Sequence, residues 1–500
     1  MFTSSVPFAF GDYMRVPITV DESMGRNLPK HVGALHASSS PLGPRLLWAR
    51  SDAGRHAPGT KPGHHKLDGI NLVCPVFTGS PEDLGCRRWT GGEGWRPLTP
   101  VQNPQGTAVG HVWTNDQGSI FLPFDPGEAM SWLWSERYTM LGDARLRNRL
   151  RHLLVTIYYT IRPALPRKVQ LLLRRRHAAH HTYPDFPGWP EENALHDLYD
   201  WLLGRLERVA GEPVPYVHPW PNGHTSAFVL THDVETSTGR DSIEALRAPE
   251  RARGLRSSWN LVPERYPVAD ELLDGLRSEG CEIGVHGLRH DGKDLASGRM
   301  LRKRLPAIRE WADRWGAVGF RSPATQRSWE LMPLLGFDYD SSYTDSAPHE
   351  PTPGGCCTYL PFFIDDLVEL PLTLPQDHTL FEILGMTDGS VWQSKVEAVR
   401  ARGGMVLMIA HPDYVHCPGM LTAWEELLDQ LRADPGAWHA LPREVAAWWR
   451  RRAESTPVLA DGAWTVHGPA AGEAVVAWSS PPVGRHGRVM VPDTSVAAHD

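Results

Sequence analysis

Two carboxylates, a pair of closely spaced histidines, an arginine and a further histidine occur in order through the second half of this 500-residue chain. They lie in THDVE (Thr231 to Glu235), HGLRH (His286 to His290), FRSP (Phe320 to Pro323) and IAHP (Ile409 to Pro412), with YDSS (Tyr339 to Ser342) between the last two. Asp233 and Glu235 follow the apolar run SAFVL, so a strand continued through them points both carboxylates to one side. His286 and His290 are four residues apart, the spacing of one helical turn, which lets two imidazoles grip one ion at ~2.0–2.1 Å. Two histidines and one carboxylate leave positions open to water, as a catalytic metal site requires and a closed structural site does not. A lone H-x-x-x-H is weak evidence in a chain with 24 histidines. Order, placement and complementary chemistry together are what single this set out.

The elements that must position these residues alternate. Strand signals fall at Ser226 to Leu230, Ser257 to Val262, Cys281 to Val285, Ala317 to Phe320, Leu367 to Leu370 and Met405 to Ala410. Helical patterns lie between them at Val268 to Glu279, Met300 to Trp315 and Val391 to Arg402, each followed by a glycine stop at Gly280, Gly316 or Gly403. Strand followed by helix, repeated, predicts parallel strands with right-handed crossovers. Asp233, His286, Arg321 and His411 each come at or just after the C-terminal end of a predicted strand, where a (β/α) barrel builds its site.

The motifs and their order resemble the polysaccharide deacetylase family, the NodB-homology carbohydrate esterases, over roughly residues 224 to 450. That family reads T-F-D-D, H-[ST]-x-x-H and R-x-P; here the corresponding residues are Thr231-His232-Asp233-Val234, His286 to His290 and Arg321-Ser322-Pro323, with Met408-Ile409-Ala410-His411 as the last motif. Val234 stands where the family usually has its metal-binding Asp, and Glu235 is the nearest substitute. A D-x-E variant is found in branches that include amide and cyclic-ureide hydrolases. The resemblance implies an α/β fold, a distorted (β/α) barrel of the NodB type, and a divalent metal, Zn²⁺ by ligand type, held by Glu235, His286 and His290. It also implies Asp233 as general base, Arg321 as the group that orients it, a backbone N–H near Ala324 for the oxyanion, and His411 as the acid for the leaving nitrogen. Asp366, Glu369 and Asp377 are the candidates for the carboxylate behind His411. The implied reaction removes N-acetyl groups from a polysaccharide or glycan precursor. The alternatives are hydrolysis of a small amide or cyclic imide, as in allantoinases, and a glycan-binding relative without catalysis.

The length predicts two or three domains. Residues 1–140 read as a β-rich accessory domain, with strand signals at Ile70 to Phe77, Gly106 to Trp113 and Gly118 to Phe124 and a long loop over Ser38 to Gly63. Residues 141–223 read as a basic helical segment and linker, 224–453 as the catalytic domain and 454–500 as a short β-containing tail. Hydrophobic content of 41% with 22% charged residues is that of a folded protein. Six cysteines without CxxC spacing fit a reducing compartment. With neither a secretory n- and h-region nor a long apolar span in view, the expectation is a cytoplasmic protein. The chain carries a net charge of −7, yet Arg145 to Arg176 holds ten basic residues and no acid. Such a segment can touch the inner face of an anionic membrane peripherally, or can form helices packed on the domain with solvated arginines. The acidic balance and the lack of a binding motif argue against nucleic acid.

Overall fold

The computed structural model describes residues 1–481 apart from 27, 52–56, 87–93, 142–174, 177–185 and 351. The second half is built on a curled, largely parallel sheet. Its strands follow one another in space as in sequence: Ser226–Val234, Ser258–Leu261, Glu282–Val285, Gly319–Phe320, Tyr339–Asp340 and Leu367–Glu369, with Met405–Ala410 on the other flank of the first. Phe362–Ile364 is an antiparallel edge, and Ala437–His439 pairs with the start of Ser226–Val234. The ladder does not close. The N–H groups of Thr373 and Leu374 nonetheless both reach the Leu407 carbonyl at 3.2 Å, and the Leu407 N–H donates to Thr373 Oγ1 at 2.8 Å. The two flanks therefore meet through the contact of Thr373 and Leu374 with Leu407, which gives the sheet a half-barrel curvature.

Every residue of Ser226–Val234 is buried, which explains an apolar run without alternation: Phe228, Leu230 and Val234 pack into the core on one face, Ala227 and Val229 into a second core on the other, and only the strand end reaches the site. The helices Ile243–Ala252, Asp270–Ser278, Gly298–Trp315, Ser390–Ala401 and Met420–Arg432 lie between or beside these strands. Gly298–Trp315 begins at Ser297, whose side chain accepts from the Met300 N–H, and ends at left-handed Gly316. The strand Tyr339–Asp340 coincides with the YDSS motif, which carried no strand signal because only two residues pair.

The N-terminal residues form a second sheet, with nine strands among the described residues, running from Phe2–Ser4 to Ile120–Leu122. Ile70–Phe77 is a strand as expected. The stretch Ser38 to Gly63 is not one long loop: Arg45–Ala49 is a buried strand between Val32–Ala37 and Ile120–Leu122, since Leu46, Leu47 and Trp48 fill the core. The helix Ala194–Ala210 lays Leu195, Leu198, Leu202 and Leu206 into the core that Leu46 and Trp48 share, while Leu47 packs on the sheet's other face. Near the C-terminus Val476–Trp478 pairs with Pro215–Val217. Most of the basic segment from Arg145 to Arg176 lies outside the described residues. Of its described arginines, Arg175 donates through Nε to the Glu382 carbonyl at 2.9 Å. Among the described residues no helix is long and apolar enough to cross a membrane.

Candidate functional site

The strand ends bring Asp233, Glu235, His286, His290, Arg321 and His411 together at one rim of the curled sheet. Asp233 lies directly opposite Asn260 in the parallel register, and its Oδ1 accepts from Asn260 Nδ2 at 2.8 Å. Gly284 is next in register, where a Cβ would stand 2.0 Å from Asn260 Oδ1; the glycine makes room for this bond. Asp233 Oδ2 is 3.7 Å from His286 Nδ1 and 3.5 Å from Arg321 Nη1. Burial raises the Asp233 pKa, but His286, Arg321, His411 and Asn260 together outweigh it and hold the carboxylate below its ordinary value.

Glu235 sits one residue past the strand. Its Oε1 is 3.0 Å from His290 Nε2 and 4.0 Å from His411 Nε2, and Tyr414 donates to Oε2 at 3.3 Å. Asp413 fixes the turn by accepting from the Glu235 N–H at 2.9 Å and from the Thr236 hydroxyl. Burial again raises the pKa, and the histidines, His290 foremost, pull it well below the usual carboxylate range.

His286 and His290 meet without a helix between them. The strand stops at Val285, Gly287 turns with φ 64° and His290 is itself left-handed at φ 53°. A Cβ at Gly287 would meet Asp294 Oδ2 and Pro323 Cγ at 2.6 Å, so only glycine permits the turn. Asp294 holds it by accepting from the Leu288 N–H at 3.0 Å, and Arg304 of the following helix holds Asp294 at 2.8 Å. The bend still sets the two rings 5.0 Å apart.

The donor set fits a divalent cation. Ligand atoms of Glu235, His286 and His290 all lie within 4.8 Å of one another. His286 Nδ1 is 3.1 Å from the Arg321 carbonyl, a contact that places the proton on Nδ1 and leaves a lone pair on Nε2. That Nε2 is buried and has no hydrogen-bond partner among the described residues. Burial lowers the His286 pKa to about 4, so the ring is neutral, as a ligand must be. A second group, Glu382, His416 and Cys417, also has ligand atoms within 4.8 Å.

His411 follows the strand Met405–Ala410. Its Nδ1–H donates to Asp377 Oδ1 at 2.6 Å and its backbone N–H to Asp377 Oδ2 at 2.7 Å. Burial favours the neutral ring, but Asp377, followed by Glu235 and Asp233, outweighs it and raises the pKa to about 10. Of the three carboxylates considered for this position, Asp377 is the one present. Asp366 is exposed, and Glu369 accepts from the Ser342 and Tyr343 N–H groups at 3.0 and 2.8 Å. Arg321 is buried and donates through Nη2 to Ser341 Oγ at 2.9 Å and Thr231 Oγ1 at 3.2 Å. It therefore influences Asp233 by its nearby charge, while the hydrogen bond to Asp233 comes from Asn260. YDSS serves as scaffold: Ser341 holds Arg321, and Ser342 Oγ accepts from the Ser322 N–H at 2.9 Å. Ala324 and Thr325 stand in left-handed conformations, φ 55° and 48°. Asn260, Asp413 and Tyr414 carried no motif; the signal that could have found Asp413 is its position two residues after His411.

No protein-family model matches the chain, and no curated protein matches it. Solved structures similar to it include a protein from Mycobacterium smegmatis assigned as a polysaccharide deacetylase (21% identity, TM-score 0.39, covering 47% of this chain and 93% of that one). Two others are the PuuE allantoinase (15% identity, TM-score 0.39, 47% and 93%) and a protein from Pseudomonas aeruginosa PAO1 assigned as a polysaccharide deacetylase (18% identity, TM-score 0.39, 47% and 94%).

Proposed function

We propose that the chain is a metal-dependent hydrolase that removes N-acetyl groups from a polysaccharide or glycan precursor. The observation that carries this reading is geometric: Asp233, bonded to Asn260, and His411, bonded to Asp377, stand beside one grouped donor set of Glu235, His286 and His290. Asp233 is held anionic and His411 is held protonated, with Glu235, His286 and His290 grouped beside them. Two groups kept in complementary states are what base-then-acid catalysis needs. Glu235, His286 and His290 would hold the ion, with Zn²⁺ favoured by the nitrogen and oxygen donors. When bound, it supplies a Lewis acid that polarises an acyl oxygen and acidifies water.

The chain's own residues supply the remaining steps. Asp233 accepts the proton of the attacking water, oriented by Asn260 and kept ionised by the charges of Arg321 and His411. The backbone N–H near left-handed Ala324 faces the developing oxyanion. His411 delivers its Nε2 proton to the leaving nitrogen, while Asp377 keeps that ring charged and its other nitrogen occupied. An amine departs poorly as an anion, so this last proton decides between amide cleavage and reversal.

Glu235 two positions after Asp233 also suits a small amide or cyclic imide, an allantoinase-like reaction on the same residues. A glycan-binding relative without catalysis is disfavoured by the His411–Asp377 pair, which binding alone does not need. The six cysteines are all free, which favours a reducing, cytoplasmic setting. Elemental analysis of the purified protein, followed by acetate release from N-acetylglucosamine oligomers and hydrolysis of a cyclic ureide, tests the reading. Acetate release that depends on bound metal supports it; a metal-loaded protein that cleaves only the ureide selects the alternative.

A further inference from the structure

The loop that carries Arg321 continues through Pro323, Ala324 and Thr325 to Arg327, and Arg327 is held by a residue of the N-terminal half. Its Nε and Nη2 donate to Glu136 Oε2 and Oε1 at 2.9 and 2.7 Å, a bidentate fork with both side chains at least nine-tenths buried. The same guanidinium donates through Nη1 to the Thr325 carbonyl at 3.0 Å and through Nη2 to the Thr352 carbonyl at 3.1 Å. Thr325 and Ala324 are consecutive non-glycine residues in left-handed geometry, an arrangement that persists only where its surroundings enforce it. Pro323 packs so tightly on Gly287, between the two site histidines, that a Cβ there would lie 2.6 Å from it. One chain of contacts thus runs from Glu136 through Arg327 and the strained turn to His286 and Asp233.

We infer that Glu136 is a positioning residue for the hydrolytic site: the N-terminal half acts as the anchor that sets the turn at Ala324 and Thr325 in its catalytic geometry. The inference rests on the proposed hydrolase reading. Misplacing a site group by about 1 Å can cost on the order of 10²-fold in rate. Glu136→Gln removes the charge and one acceptor, leaving Arg327 free to release Thr325.

The test uses the full-length, metal-loaded protein with Glu136→Gln, Glu136→Asp, Arg327→Lys and the control Tyr138→Phe. Tyr138 lies beside Glu136 and donates to the Gly355 carbonyl at 2.7 Å, so its loss loosens the same interface without touching the turn. Expected are a roughly 10- to 100-fold fall in kcat for Glu136→Gln and Arg327→Lys, with KM and metal stoichiometry retained. Glu136→Asp should recover part of the loss, and Tyr138→Phe should leave kcat unchanged. Unchanged kcat in folded Glu136→Gln overturns the inference, as does an equal fall in Tyr138→Phe. If the wild type hydrolyses no substrate, the hydrolase reading fails, but amide hydrogen exchange still judges the clamp. Faster exchange at Thr325 and Gln326 in Glu136→Gln than in Tyr138→Phe supports it, and equal exchange overturns it.

Discussion

Replacing Asp377 by Asn should convert His411 from a charged acid into a neutral ring at neutral pH. In the wild type the histidine rises from its ordinary 6.5 to about 10 although it is buried, because the Asp377 charge faces the ring and accepts its Nδ1–H, with Glu235 and Asp233 adding to the pull. His286 shows what burial does when no such tight partner opposes it: its pKa falls to about 4. In Asp377→Asn the charge is gone and the amide nitrogen also faces a backbone donor, so His411 should drop below 6.5. Each unit below the working pH removes about tenfold of the protonated form, so a fall to two units below the assay pH implies a roughly 10²-fold loss of kcat/KM. The assay pairs a pH profile of acetate release with NMR titration of labelled histidine, in wild type and variant carrying the same metal. A bound cation near Glu235 weakens that carboxylate's pull on His411 in both proteins, and the comparison cancels it. Because the folded pKa is raised, the pair stabilises the fold fully below about 6.5 and loses that contribution as pH rises through about 10. A wild-type His411 titrating near 6.5, or the same pKa in both proteins, would refute the electrostatic argument.

The remaining predictions concern the ligands, the base and the fold. His286→Ala and His290→Ala should each abolish bound metal and turnover, checked by elemental analysis, because two donors cannot hold a labile ion; stoichiometric metal with normal activity in either would sink the site assignment. Asp233→Asn should keep its metal while losing ~10²–10⁴ of turnover, whereas Glu235→Gln should weaken metal affinity; equal metal loss in both would mean that the two carboxylates share the ligand role. Burial raises the pKa of Glu282 from 4.5 to about 7 against the opposing pull of the Tyr339 hydroxyl and the Arg443 N–H. Between these values the folded state binds more protons than the unfolded one, so stability falls as pH rises from about 4.5 to about 7, by ~3 kcal/mol from this residue, and then levels off. Urea unfolding at pH 5 and pH 8 should show a smaller difference in Glu282→Gln than in wild type; identical differences would count against this assignment.

The alternation of apolar runs and glycine-stopped helices was legible because each buried strand and amphipathic helix states its own burial. Met405 to Ala410 is a strand with the bounds read from the sequence, and the helix expected from Met300 to Trp315 begins two residues earlier, at the cap that Ser297 provides. Two-residue pairings such as Tyr339–Asp340 have too few positions to show a period. The Arg45–Ala49 strand was hidden by the surrounding glycine, serine and proline. The four-residue spacing of His286 and His290 says only that two side chains can meet. Gly287 and Asp294 achieve the meeting by a turn. Asn260 could not be found without the register that sets it opposite Asp233, and Asp377 is joined to His411 across 34 residues, so its claim over Asp366 and Glu369 needed coordinates.

Strand parity explains why Val234, between Asp233 and Glu235, is apolar. Along Ser226–Val234 successive side chains alternate faces, and Val234 points into the hydrophobic core, fully buried in the cluster that also holds Leu261 and Trp259. The Tyr266 hydroxyl fastens its carbonyl at 2.5 Å, which fixes that orientation to the end of the strand. A carboxylate at 234 in this backbone would be buried among apolar side chains without a partner, at a cost of several kcal/mol. A second carboxylate on the side of Asp233 must therefore come from position 235, where the Asp413 bond to the Glu235 N–H turns the chain toward His290. The D-x-E spacing is thus the one this strand can use, and Val234 is compatible with the proposed role of Glu235.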